Sequence, residues 1–360
     1  MTFNLLSFLK PPRFLEIPSV GIDIEDGCIR YLEIIKKRDK NVLGRYGEIS
    51  LPEGVFAGGT ILNQEAMVSV LSSLRQKQGL HFVEVSVPEE KSYIFNTKIP
   101  NINLGEMRSV VEFGLEEFVP LKADESFFEF MPIKELPNGN IEVSVSVVPK
   151  QTINSYIETF KKAGLEITSF CNESRKVAKA VIAEGDKNSY MIVNIKDKNT
   201  ILSIVEKGIV VFTSTISVGT DALVGKIKKA GLSSNGTGCF KIPESAFSEE
   251  GKDSSEYLYI LANVFSVIRD EILRFYDFWR GKDMSGLSSK RLKKIILCGR
   301  TSLVPGFSRY ISSSVDVEVE MANVWTNVFS LELEVPEINL ADSLDFGAVI
   351  GLNLHNESEF

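Results

Sequence analysis

Residues 20–34 read VGIDIEDGCIRYLEI, and this stretch decides the fold. Apolar residues from Ser19 to Ile35 flank a short acidic turn, which predicts a β-hairpin with Glu25, Asp26 and Gly27 at its tip. A third strand is predicted near Arg45 to Leu51. The segment QEAMVSVLSSLRQKQ (64–78) follows, with Met67, Val70, Leu71 and Leu74 at helical spacing, and then the strand FVEVSVP (82–88), which ends at Pro88. The same order begins again further on. YMIVNI (190–195), TILSIVEKG (200–208) and IVVFTSTISVG (209–219) predict three strands with tight turns, the segment DALVGKIKKAG (221–231) predicts a helix, and KKIILCG (293–299) predicts a strand. The chain therefore reads as an internal duplication of one α/β half.

The stretch between the halves has a different pattern. NLGEMRSVVEFGLEEFVPL (103–121) places Met107, Val110, Val111, Leu115 and Phe118 on one helical face and is predicted to stop at Pro120. Two strands follow, SFFEFMPIKE (126–135) and NIEVSVSVVP (140–149), joined through the turn sequence Pro137-Asn138-Gly139-Asn140. A helix over 151–164, a short strand over 165–170 and a helix over 172–185 complete this region. Leu232 to Ser255 is rich in Ser, Gly and acidic residues and reads as a loop. A long helix from Tyr257 to Trp279 carries the stripe Leu261, Val264, Ile268, Ile272, Phe275 and Trp279, which reads as core packing. After KKIILCG, Pro305-Gly306 starts a further short helix.

Composition narrows the function. At 360 residues the chain is long enough for two lobes, and its 44% hydrophobic and 24% charged residues are those of a folded protein. The net charge of −8 opposes binding to nucleic acid, which needs a basic face, and the clusters Lys36-Lys37-Arg38 and Lys290-Arg291 with Lys293-Lys294 read as solvated edges. Cys28, Cys171, Cys239 and Cys298 form no CxxC pair, and His81 and His355 are the only histidines, so a zinc site has little material. The cysteines read as free thiols of a reducing compartment. No stretch approaches the roughly 20 apolar residues that span a bilayer. The start, MTFNLLSFLKPPRF, has an apolar stretch without a basic start or a cleavage site, unlike a signal peptide.

Three segments carry the chemistry when taken in order. VGIDIEDGCIRYLEI, YMIVNIKDKNTILSIVEKG (190–208) and IILCGRTSLVPGF (295–307) resemble the phosphate-1, phosphate-2 and adenosine segments of the actin-like ATPase superfamily. Within it, FGLEEFVPL (113–121), VSVVPKQTINSYIETFKKAGLEITSF (145–170), ISVGTDALVGKI (216–227), RDEILRFYDFW (269–279) and DFGAVIGLNL (345–354) resemble the PilM family of type IV pilus assembly proteins. The resemblance implies an α/β, actin-like (ribonuclease H-like) two-lobed ATPase fold with an inserted subdomain in the first lobe. It also implies a division of the chain: an N-terminal segment (1–18), a first core domain (19–100 and 150–187), an inserted small α+β domain (101–149), a second core domain (188–220 and 290–340), a helical insertion (221–289), and a C-terminal helix and tail (341–360) that return to the first lobe.

A clamp of this kind offers hairpin-tip N–H groups to phosphates, with an acid at the strand end for magnesium. The resemblance implies nucleotide-binding positions at Asp23, Gly27, Cys28 and Arg30, at Asn194, Thr200 and Gly219, at Glu271, and at Gly299 and Ser302. Asp23 would be the magnesium ligand, and ATP with magnesium the cofactor. The tips depart from the family pattern. Glu25 and Asp26 stand where a glycine and a serine are usual, so two carboxylates would face phosphate oxygens unless they swing out or take a cation. Asn194 replaces an acid and cannot be a general base, while Lys196 or Lys198 could attract phosphate. Arg300 could stack on a base or block it. Two readings of the cleft follow, a working ATP site and a degenerate one kept for scaffolding, and hydrolysis is not expected in the second.

The resemblance further implies a cytoplasmic scaffold of the pilus inner-membrane assembly platform, peripheral to the membrane, holding the N-terminal tail of a PilN-like membrane protein in a groove between the first core domain and residues 101–149. Other platform components would be further partners. A kinase of the same superfamily and an FtsA-like cell-division scaffold are the alternatives. The apolar start FNLLSFL (3–9) has the character of such a tail and could dock on the chain itself or be a frayed terminus.

Overall fold

The computed structural model describes residues 19–354 except 38–39, 223–224, 226–254, 282–290, 305 and 333, and within the long helix the side chains of 255–261 are also outside the description. Several expectations therefore fall outside the described residues: the segment 1–18, most of the helix over 221–231, the loop from 232, the side chain of Leu261, Cys239, His355 and the tail beyond 354. Among the described residues no helix is long and apolar enough to cross a membrane.

The opening hairpin forms as its pattern dictates. Strand β1 (Val20–Ile24) pairs antiparallel with β2 (Cys28–Lys37), Asp23 facing Arg30 and Ile24 facing Ile29. The turn closes with Glu25 N–H donating to Cys28 O at 2.9 Å. Strand β3 (Lys40–Ser50) pairs with β2, and after the small ribbon β4 (Phe56–Ala57) and β5 (Thr60–Ile61) helix α1 (Gln64–Gln78) leads to β6 (Phe82–Val87), which lies parallel to β1. Asn63 caps α1 by accepting from Ala66 N–H.

The second half repeats this wiring. Strand β11 (Ser189–Ile195) pairs antiparallel with β12 (Thr200–Glu206), β12 pairs with β13 (Ile209–Ile216), and β11 lies parallel to β14 (Lys294–Cys298). A fifth strand extends each sheet, β10 (Glu166–Asn172) beside β6 and β15 (Glu318–Met321) beside β14. Written from the same edge, the two orders, β3-β2-β1-β6-β10 and β13-β12-β11-β14-β15, are the same topology strand for strand.

Between the halves stands a three-stranded sheet ordered β7-β9-β8, made of β7 (Tyr93–Pro100), β8 (Ser126–Glu135) and β9 (Asn140–Pro149). Strand β7 precedes residue 101, because Tyr93 to Pro100 finds its partner in β9 and none in the first large sheet. Helix α2 is shorter than its apolar pattern predicts. It runs Leu104–Gly114 and passes into a 3-10 turn at Leu115–Glu117. Met107, Val111 and Leu115 pack on this sheet, whereas Val110 and Phe118 stay exposed, and Phe118 stacks on Phe95 at 4.5 Å.

Among the described residues four apolar clusters hold these layers. Helix α1 and helix α3 (Lys150–Lys162) cover one face of the first sheet, with Tyr156 and Phe160 among its buried side chains. The long helix α5 (Ser255–Gly281) covers the outer face of the second sheet together with α6 (Phe307–Ser312) through Val264, Ile268, Ile272, Phe275 and Trp279. The small sheet and α2 form the third cluster. The fourth lies between the two large sheets, built on α4 (Glu173–Val181) and, after the short α7 (Leu340–Ser343), on α8 (Gly347–Leu352), with Trp325 among them. The lobes are thus welded at the base and meet again at their hairpin tips.

Candidate nucleotide cleft

Two hairpin tips, the start of α4 and the turn before α8 converge between the lobes. Asn172 caps α4 by accepting from Arg175 N–H, which places Glu173 in the first turn, where a carboxylate suits the positive end of the helix. Asp345 sits in the 3-10 turn Leu344–Phe346, directly before α8. Asp23, Glu25, Arg30, Glu173, Asn194, Lys196, Asp197 and Asp345 line one cavity of about 10 Å³, room for a single water.

Charges from opposite lobes fill it. Lys196 Nζ lies 2.7 Å from Glu173 Oε1 and 3.6 Å from Glu25 Oε1, and its side chain is 8% exposed. Lys198 reaches Asp26 at 3.4 Å, and Asn199 donates to Glu90. Arg30, 3% exposed, pairs with Glu25 at 2.8 Å, Glu48 at 2.9 Å and Asp345 at 3.9 Å. Arg300 binds Asp345 through its backbone N–H at 2.8 Å and through its guanidinium at 3.3 Å, and it also pairs with Asp342. The carboxylates at the first tip thus take cations, and the cations are the protein's own.

Burial pushes the Asp23 carboxyl up, and Ser86 donates to it. Against its burial, Arg30 and Lys196 hold Glu25 below the usual carboxylate range. Burial raises Glu173 to about 8 against the opposing ammonium of Lys196, the carboxylates of Asp23, Glu90 and Glu25 adding to the rise. Asp197 is raised to about 7 by burial and by Glu25, with Asp345 and Asp221 adding and Arg30 opposing. An acid whose pKa is higher folded than unfolded contributes stability that is full below the unfolded value and is lost as pH rises through the folded one. The melting temperature is therefore expected to fall from about pH 4 to about pH 8, between the unfolded and folded values of these two acids. Asp197→Asn should flatten that slope, and an unchanged slope in the variant would show that Asp197 does not titrate in this window.

The positions implied by the resemblance divide. Asp23, Arg30 and Asn194 come together at the cavity, but Arg30 is fully engaged by carboxylates rather than open to phosphate. Gly27 lies at the first tip, and Cys28 is buried behind it. The Thr200 and Ser302 hydroxyls donate to Val218 O and Gly299 O, each at 2.7 Å. Gly219 and Gly299 are contact points of backbone on backbone: a Cβ at Gly219 would lie 2.5 Å from Lys196 O and one at Gly299 2.0 Å from Ile195 O, the latter at φ +84°. Glu271 pairs with Arg274 on α5 and does not line the cavity. Arg300 is held by Asp342 and Asp345 rather than free to stack on a base. Glu173, Asp197 and Asp345 were missed from sequence, although Asn172-Glu173 carries a helix-start signal that points to the first of them.

The donor set does not fit magnesium with a phosphate chain. Magnesium needs an octahedron of oxygens at about 2.0–2.1 Å, several of them waters. Here an ammonium stands among the carboxylates, and the space left holds one water.

Two sheets of the same wiring, joined by a shared helical core and facing each other across paired hairpin tips, define a protein of the actin-like two-lobed fold. The family model for type IV pilus assembly protein PilM matches residues 21–357, and the chain belongs to that family. A solved PilM-PilN type IV pilus biogenesis complex is similar in fold, with a TM-score of 0.73 and 16% identity over 94% of this chain and 98% of that one. The ethanolamine utilization protein EutJ of Carboxydothermus hydrogenoformans gives a TM-score of 0.49 at 16% identity, covering 96% of this chain and 90% of its own. MreB5 of Spiroplasma citri bound to ADP gives 0.48 at 13% identity, covering 86% and 93%. No curated protein matches the sequence.

Proposed function

We propose that the chain is a cytoplasmic scaffold of the type IV pilus inner-membrane assembly platform, peripheral to the membrane, that binds the N-terminal tail of a PilN-like membrane protein. The family match over residues 21–357 carries this reading. The tail lies in the groove between the first core domain and the inserted sheet, whose unit we place from Tyr93 rather than 101. Strand β10 ends the first large sheet and strand β8 ends the small one, so edge strands are available for an extended peptide, with side-chain pockets supplying specificity. The nucleotide cleft is degenerate: Glu25, Asp26 and Glu173 are tied to Lys196 and Lys198, and Asn194 stands where a base would be. The same engagement of the carboxylates disfavours the kinase reading, which needs an acid pair free for magnesium and substrate.

A labelled peptide copying the N-terminal tail of the PilN-like protein from the same organism is expected to bind the purified chain saturably, at micromolar concentration, in a fluorescence titration. No shift at high micromolar peptide would overturn the scaffold reading. In parallel calorimetry ATP with magnesium should give no micromolar binding, and tight binding with phosphate release would overturn the degenerate cleft.

A further inference from the structure

Three carboxylates of the first lobe, Asp23, Glu25 and Glu173, each bring an oxygen within 4.8 Å of the others. All three are buried. When ionised together, such a set attracts a divalent cation, and without a positive charge beside it, it would repel itself. Lys196 enters it from the second lobe, at the end of β11, and its ammonium sits 2.7 Å from Glu173 and 3.6 Å from Glu25. Glu173 is 1% exposed, and its second oxygen, Oε2, has no hydrogen-bond partner, so the set retains an unused ligand atom. Against the burial that disfavours its charge, Glu173, Glu25 and Asp23 keep Lys196 protonated. A lysine ammonium is a compact point charge on a flexible stem, suited to this place in a way that a planar guanidinium is not.

We propose that Lys196 is a tethered cation: its ammonium occupies the cation position among Asp23, Glu25 and Glu173 and joins the two lobes, so that the closed cleft needs neither metal nor nucleotide. This deepens the reading of the cleft as degenerate and explains how its jaws stay together. Two further contacts between the hairpin-tip regions, Lys198 with Asp26 and Asn199 with Glu90, lie nearer the surface and seal the rim.

The test removes the ammonium and offers a metal. In the full chain, Lys196→Ala is expected to take up one Mn²⁺ per molecule, at least about tenfold tighter than the wild type, read by the loss of the free Mn²⁺ electron paramagnetic resonance signal. Its melting temperature should drop in EDTA and recover with Mn²⁺. Adding Glu173→Gln to Lys196→Ala should abolish the uptake, and Lys198→Ala should gain none. If Lys196→Ala is unfolded in EDTA, Mn²⁺ should restore the fold, and failure to fold in either condition overturns the proposal. Equal Mn²⁺ uptake by the wild type, or none by folded Lys196→Ala, does so as well. Tail-peptide binding followed in the same samples separates the two claims: its failure alone removes the scaffold reading and leaves the role of Lys196 standing.

Discussion

Gly351→Ala is expected to destabilise the protein severely. Helices α4 and α8 cross so closely between the lobes that a Cβ at Gly351 would lie 1.9 Å from Lys176 O and 2.5 Å from its carbonyl carbon. A carbon ordinarily approaches a carbonyl oxygen no nearer than about 3.3 Å. The obstacle is backbone on both sides, so no rotamer change relieves it, and the helices must part. That separation opens the core shared by Val177, Val181, Trp325, Val349 and Leu352. A loss of about 3 kcal/mol, the upper end of what overpacking costs, is expected in urea denaturation. Gly114→Ala is the control. It lies at the end of α2 with nothing within 4 Å of an added Cβ, and alanine is the better helix former there by up to about 1 kcal/mol. Equal losses in the two variants would rule out the close crossing as the cause.

Arg30→Met is expected to cost about 3–5 kcal/mol, because removing one partner of a buried ion pair strands the other. Three carboxylates depend on this guanidinium: Glu25 at 2.8 Å, Glu48 at 2.9 Å and Asp345 at 3.9 Å, with side chains 10%, 23% and 17% exposed. Methionine keeps an unbranched apolar stem of similar reach to the arginine's methylenes while removing every donor. Arg30→Lys restores the charge but not the fork that reaches several carboxylates, so it should recover only part of the stability. The comparison separates charge from geometry. A loss under about 1 kcal/mol in Arg30→Met, the size of a solvent-exposed pair, would show that water screens this cluster.

The outline of the molecule was legible in the chain because it rests on local patterns. Alternation in VGIDIEDGCIRYLEI and YMIVNIKDKNTILSIVEKG produced the two hairpins, and the stripe from Val264 to Trp279 produced the helix that covers the second sheet. What escaped depended on partners distant in sequence. Tyr93 to Pro100 became a strand of the small sheet through pairing with β9. Helix α2 stopped at Gly114 although its apolar pattern ran on to Phe118, which turned outward onto Phe95.

The opening hairpin shows the same division at the site. Its sequence determined a turn with carboxylates at Glu25 and Asp26, and the second tip determined lysines at 196 and 198, since a residue's charge is local chemistry. Whether those charges met phosphate, magnesium or each other was left open by the chain. Only the tertiary structure decided it, by setting the two tips face to face and bringing Glu173 in at the start of α4. Coulomb attraction falls with distance and is screened by water, so Lys196 acquires its partners only when the folded lobes bring them within 4 Å in a nearly dry cleft.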